Sequence, residues 1–186
     1  MRPTEELAAE HEVILAMLEV LAAVAVRLAE RPVPQEDLAR ILEFLKVFAD
    51  ACHHGKEEEW LFPALERAGV PREHGPIGVM LAEHEAGRAL IREMGAALGL
   101  LRETGGGITA FAEAAGRYAE LLRRHIDKEN QVLFPLADRL LLFRGQDPEE
   151  QEAVARGFAR IEHERAGPGR REVFRRLLGE LSAAYL

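Results

Sequence analysis

The chain carries one arrangement of histidines and carboxylates twice, at nearly constant spacing, and this repeat constrains its fold more than any other feature. Glu10-His11-Glu12 recurs 73 residues later as Glu83-His84-Glu85. His53-x-x-x-Glu57, followed by Leu61-Phe62-Pro63, recurs 72 residues later as His125-x-x-x-Glu129, followed by Leu133-Phe134-Pro135. Residues four apart share one face of a helix, so each His and its Glu point the same way. Two halves that each offer a lone His and then a His–Glu pair can enclose two metal ions. Imidazole and carboxylate without thiolate suit iron or manganese better than structural zinc.

The apolar period around these residues is helical throughout, and no alternating strand pattern occurs. A first helix is expected from Thr4, read as its N-cap, to Glu30, with Leu7, His11, Ile14, Leu18, Leu21 and Ala25 on one stripe. A second runs from Gln35 to about Ala68, with Leu38, Leu42, Leu45, Ala49, His53 and Trp60 inward. A third opens at Pro76 and turns Ile77, Met80, Leu81, His84, Ile91, Met94 and Leu98 inward. Thr104-Gly-Gly-Gly107 separates it from a fourth, Ile108 to Leu142, carrying Phe111, Tyr118, Leu121, Leu122, His125, Glu129 and Val132 in register. Asp147-Pro148-Glu149 reads as the start of a fifth, and Gly167-Pro168-Gly169 as its end before a last Arg-rich amphipathic piece.

Four long helices joined by short turns imply an all-α, up-down-up-down four-helix bundle over residues 1–145, with a helical extension over 146–186 packed on it. In that topology the early His of helices one and three and the late His–Glu pairs of helices two and four meet at one end. Pro63 and Pro135 each fall just beyond the carboxylate, where a kink would help aim it; two independent helix ends are the alternative.

At 186 residues the chain can bury a sizeable core. A net charge of −8 argues against nucleic acid as a partner, because that needs a basic footprint. No stretch is long and apolar enough to span a bilayer, and no basic-then-apolar leader pattern opens the chain. With one cysteine, Cys52, no intrachain disulfide forms, so a cytoplasmic location is expected. A homodimer is compatible with these features.

Taken singly, His11 or His84 on an apolar stripe is more often a core residue than a ligand. Buried carboxylates, however, are costly unless paired or metal-bound, and the repeat places four imidazoles and two carboxylates at one depth. His11, His53, Glu57, His84, His125 and Glu129 are therefore the candidate metal ligands. His54 and Glu58 compete with His53 and Glu57, and the constant offset favours the latter pair. His54 is left as an extra ligand or as a group behind the ligands, and Glu12, Glu58 and Glu85 as groups behind the ligands or in solvent. Glu162-His163-Glu164 repeats the tripeptide without a His-x-x-x-Glu partner, so a surface salt-bridged helix is expected there. His74 is read as a turn residue, Cys52 as a small buried hydrophobe, and Tyr118 as lining the pocket or packing beside it.

These residues resemble the hemerythrin-like, His-His-Glu cation-binding family over about residues 5 to 142, above all His53-His-Gly-Lys-Glu-Glu58 and Glu129-Asn-Gln-Val-Leu-Phe-Pro135. The resemblance implies two non-haem iron ions, bridged by the two carboxylates and capped by histidines, with manganese or zinc as alternatives. It also implies a small partner: oxygen, nitric oxide or peroxide. Oxygen-carrying members have a further His one turn before the third-helix ligand, where this chain has Met80. Four rather than five histidines imply a more open centre, closer to sensors or to iron-sulfur repair proteins than to oxygen carriers. A ferritin-like oxidase or peroxidase is the catalytic alternative.

Overall fold

A computed structural model describes residues 2–143 and 148–186. Among them every regular element is a helix. Four long rods form an all-α bundle. They are α1 (Pro3–Glu30), a composite rod over 35–67, α4 (Pro76–Thr104), and a composite rod over 108–143 that starts as α5 (Ile108–Lys128). The 35–67 rod contains α2 (Gln35–Phe44), π-helical turns at Leu45–His54 and Glu57–Leu61, and α3 (Phe62–Arg67). The 108–143 rod continues from α5 through a π turn at Glu129–Leu133 into α6 (Phe134–Phe143).

The first rod is capped two residues earlier than expected, at Arg2. Pro3 occupies the opening helical position, where its missing N–H costs nothing. Arg2 and Glu5 close the end, the Arg2 backbone N–H donating to Glu5 Oε2 at 2.8 Å. Thr4 is thus not the cap; its hydroxyl donates to Asp138 Oδ1 at 2.6 Å and ties α1 to α6. At the triple-glycine loop, Gly105 and Gly107 take φ of 76° and 85°, which side chains other than glycine's adopt at a cost. A Cβ on Gly107 would also lie 2.5 Å from the Ala97 carbonyl oxygen.

Two apolar clusters hold the rods. The larger contains Ile14, Leu18, Phe44, Leu45, Met94, Phe111, Tyr118 and Leu122. The smaller contains Leu7, Leu61, Phe62, Ile77, Met80, Leu133, Phe134 and Phe158. Along α1, Leu7 belongs to the smaller and Ile14 to the larger, with His11 between them; along α4, Met80 and Leu90 bracket His84 the same way. The histidine level is a polar layer between two apolar ones.

The π turns explain two residues that face the other way from the sequence expectation. Trp60 and Val132 continue an α-helical stripe, yet Trp60 is only partly buried and Val132 is 57% exposed, while Leu61 and Leu133 are buried. In each rod the amide after the π turn skips a residue: Phe62 N–H donates to Glu57 C=O, and Phe134 N–H to Glu129 C=O. One extra residue in a turn rotates everything beyond it by about 100°. Pro63 and Pro135 follow immediately, and the wider turn takes the proline ring away from the carbonyl it would strike.

The extension comprises α7 (Pro148–Ile161), a π turn at Glu162–Ala166 and α8 (Arg170–Tyr185). It lies along α1 and the 35–67 rod. Ile161 sits over Gly55, and the Trp60 indole fills the space beside Gly157, where any Cβ would overlap it. The sequence boundary at 145/146 and the Asp147 cap fall outside the described residues.

Candidate metal centre

Seven ionisable side chains converge in the polar layer: His11, His53, His54, Glu57, His84, His125 and Glu129, none more than 2% exposed. The six residues singled out from the repeat are all among them, and His54 is the seventh. Their inward atoms crowd together. His11 Nε2 and His125 Nε2 lie 3.1 and 3.3 Å from Glu129 Oε2, and His84 Nε2 and His53 Nε2 lie 3.4 and 3.7 Å from the two oxygens of Glu57. None of these four approaches is a hydrogen bond. The Nε2 atoms of His11, His53 and His54 and all four oxygens of Glu57 and Glu129 are buried without a partner. Buried polar atoms are almost always paired, so seven orphans aimed at one volume mark a place for cations.

The donors sort into two sets, His11, His53, Glu57 and Glu129, and His54, Glu57, His84 and His125, with the donor atoms of each set within 4.8 Å of one another. Glu57 belongs to both. Donors about 2.1 Å from a shared ion stand roughly 3 to 4 Å apart, so each set is near the size a metal needs.

Every imidazole is also held from outside through Nδ1. His11 meets Asn130 Oδ1 at 2.8 Å, His53 meets Glu10 Oε2 at 3.0 Å, and His84 meets Glu58 Oε1 at 2.7 Å. His125 meets Glu83 Oε2 at 3.0 Å, and His54 meets Asp50 Oδ1 at 3.4 Å. A proton on Nδ1 directed at an oxygen leaves the Nε2 lone pair for a metal, and such outer acceptors orient metal-binding histidines. Arg88 joins two of them, donating to Glu58 Oε1 at 2.5 Å and Asp50 Oδ1 at 2.8 Å. The Leu-Phe-Pro repeat has its own task. Phe134 stacks on His11 with ring centroids 5.2 Å apart, and Phe62 on His84 at 5.9 Å.

Without a metal, protons take up the strain. Burial and the neighbouring Glu129 charge push the Glu57 carboxyl up to about 8. Burial acts the same way on Glu129, but His125 and His11 overcome it and hold Glu129 well below the usual carboxylate range. Burial opposes charge on His125 too, yet Glu129 and Glu57 raise it to about 9. Burial and adjacent imidazoles hold His54 well below its ordinary value, a neutral donor suited to a cation.

Sequence reasoning passed over the outer residues Glu10, Glu83, Asn130, Asp50 and Arg88, and two lysines. Lys56 Nζ donates to Glu10 Oε1 at 2.5 Å, and Lys128 to Glu83. The signal was in the repeat: Glu10/Glu83 recur at 73 and Lys56/Lys128 at 72, so the repeated unit is Glu-His, then His-x-x-Lys-Glu. Glu58 lies behind His84, as the alternatives for it allowed, whereas Glu12 and Glu85 are exposed. Met80 packs in the smaller apolar cluster, His163 is exposed, and His74 takes a turn φ of 57°. Cys52 is buried, which raises its thiol to about 11. The Tyr118 hydroxyl is buried without a partner.

A helical bundle with a buried His/Glu core of this kind is a metal-binding bundle. The chain belongs to the hemerythrin HHE cation-binding domain family, whose model matches residues 2–137. It is also similar to the iron-sulfur cluster repair protein YtfE of Edwardsiella ictaluri (strain 93-146), with 34% identity over 103 residues, 54% of this chain and 46% of that protein. The chain thus spans about half the length of that relative. No solved structure gives a significant match. Among the described residues no helix is long and apolar enough to cross a membrane.

Proposed function

We propose that the centre would hold two iron ions, His11 and His53 serving one and His54, His84 and His125 the other, with Glu57 available to both and Glu129 supplying the second carboxylate. The observation that carries this is the set of seven buried inward donor atoms without partners, with every imidazole fixed from behind. Manganese or zinc would fit the same donors. His54 enters as a fifth imidazole from the 35–67 rod, in the role that the resemblance assigns to the position of Met80. Its neighbour His53 faces the other donor set, which adjacent residues on a widened helix can do.

Iron bound here supplies redox capacity, and five imidazoles with two carboxylates fall short of two octahedral sets, leaving room for a small ligand such as oxygen, nitric oxide or peroxide. The chain's own part is to keep five imidazoles aimed inward and to exclude water with the Phe62 and Phe134 layer. A repair or iron-delivery role is the second reading, favoured by the similarity to the iron-sulfur cluster repair protein.

Metal analysis of the purified chain is expected to give about two iron per chain. Glu57→Ala or Glu129→Ala removes most of it, Glu58→Ala much less, and His54→Ala weakens one of the two ions by more than the roughly 10- to 100-fold typical of losing an outer acceptor. A visible spectrum that changes when the reduced protein meets oxygen or nitric oxide supports the small-ligand role. Loss of iron from Glu58→Ala but not Glu57→Ala would overturn the ligand set.

A further inference from the structure

The two halves of the repeat are alike at the inward donors and unlike just behind them. Glu10 holds His53 and is met by Lys56; Glu83 holds His125 and is met by Lys128. Lys56 is 0% exposed and Lys128 39%, and the Glu10 and Glu83 side chains are 5% and 21% exposed. The difference comes from the extension, which covers one half and not the other. Arg171 of α8 donates to Glu10 and, at 3.0 Å, to Glu6, and it pairs with Glu162 at 2.5 Å. Lys56 in turn reaches Glu6 at 2.7 Å and Glu162 at 3.7 Å and lies over the Phe158 ring. The surface positions repeat the pattern: the extension packs on Trp60, while its counterpart Val132 is 57% exposed.

We propose that the C-terminal extension locks the metal position of His11 and His53 by clamping Glu10 through Arg171, and leaves the position of His54, His84 and His125 exchangeable. This rests on the two-metal reading above. For an ion to leave, its imidazoles must swing away, and each can swing only as far as its outer acceptor lets go. Glu83 can trade His125 for water, being partly exposed with a lysine that is partly in solvent. Glu10 cannot, because a buried lysine and a buttressing arginine hold it by charge-assisted hydrogen bonds away from water. Arg171 lies outside the segment that matches the family, so the asymmetry belongs to this chain's own extension. Arg171 is a positioning residue: it reaches the metal only through Glu10 and His53. The Glu6–Glu10–Glu162 cluster is then no third metal site, since Lys56 and Arg171 occupy its centre.

The test is metal release from the full chain loaded with two equivalents of Co2+, followed by the visible absorption lost to excess chelator. The parent should release cobalt in two phases of equal amplitude. Arg171→Ala should speed the slow phase at least threefold and leave the fast one; Arg171→Lys should restore the slow phase. Glu83→Ala should speed only the fast phase. Arg170→Ala removes a pairing of the extension with Glu43 that does not touch Glu10, and should change neither. If Arg171→Ala does not fold, Arg171→Gln reads the same quantity. One release phase in the parent, equal acceleration of both phases, or an Arg170→Ala effect as large as that of Arg171→Ala would overturn the proposal while leaving two-metal binding intact. A parent that takes up no cobalt overturns the metal reading and this inference together.

Discussion

Lys56 is a lysine at 0% exposure, and it shows how far the repeat's symmetry is broken. Lys56 is tolerated because Glu6 and Glu10 surround its ammonium; losing one partner of a buried charge set costs about 3–5 kcal/mol, whereas an exposed pair is worth about 0–1 kcal/mol. Lys56→Met is therefore expected to destabilise the chain by about 3 kcal/mol in urea unfolding, and Lys128→Met by less than about 1 kcal/mol. Equal effects would show that the two outer pairs are equivalent after all. At this scale the sequence was legible where chemistry repeats: the lone histidines and both His–Glu pairs meet as their offsets implied. His54 was harder, because it has no counterpart 72 residues on, where Ile126 stands. The outer acceptors were passed over because a glutamate beside a histidine looks like a solvated helix face until the neighbouring rod is in place.

Among the elements, the long rods followed from the apolar period and the proline and glycine punctuation. The π turns did not. They arise where inward ligands, a proline and packing beyond it must be satisfied at once, and a single-helix periodicity carries no sign of the inserted residue except the repeated Leu-Phe-Pro. Their effect is visible in Trp60 and Val132, both turned outward. The extension then covers Trp60, with Gly157 as the position that lets the indole in. Gly157→Ala is expected to displace the extension, shifting the emission of the single tryptophan to longer wavelength and exposing Lys56 to solvent. In the interior of an exposed helix the same substitution would stabilise by up to about 1 kcal/mol, so a net loss of stability would isolate the contact with Trp60. Unchanged emission together with a stability gain would show that α7 is not held against the indole.

For the molecule as a whole, the polar layer is a liability that metal bound there would convert into stability, and the balance depends on pH with a definite sign. The Glu57 carboxyl rises from an ordinary value of 4.5 to about 8 in the metal-free fold. That raised value favours the protonated folded state, so its contribution is fully present below pH 4.5 and is lost as pH rises through about 8. His125, raised from 6.5 to about 9, contributes stability that is present below pH 6.5 and lost by about 9. His54 and His84 are shifted downward, so they act only below their ordinary 6.5 and drop out above it. Glu129, held low, contributes stability that is fully present above 4.5 and is lost only as pH falls below it, so it is constant over the alkaline interval. Between pH 6.5 and 9 the metal-free chain should therefore lose stability steadily. Metal displaces the same protons on binding, so its affinity rises over that interval, and ligand that binds only the folded state stabilises it by mass action. The melting temperatures of chelator-treated and metal-loaded protein should accordingly diverge as pH increases from 6.5 to 9. Differential scanning calorimetry at three or four pH values would read this directly. A gap that is constant or narrows with pH would mean that metal does not replace the protons of Glu57 and His125, and that the ions sit elsewhere than in the layer between the two apolar clusters.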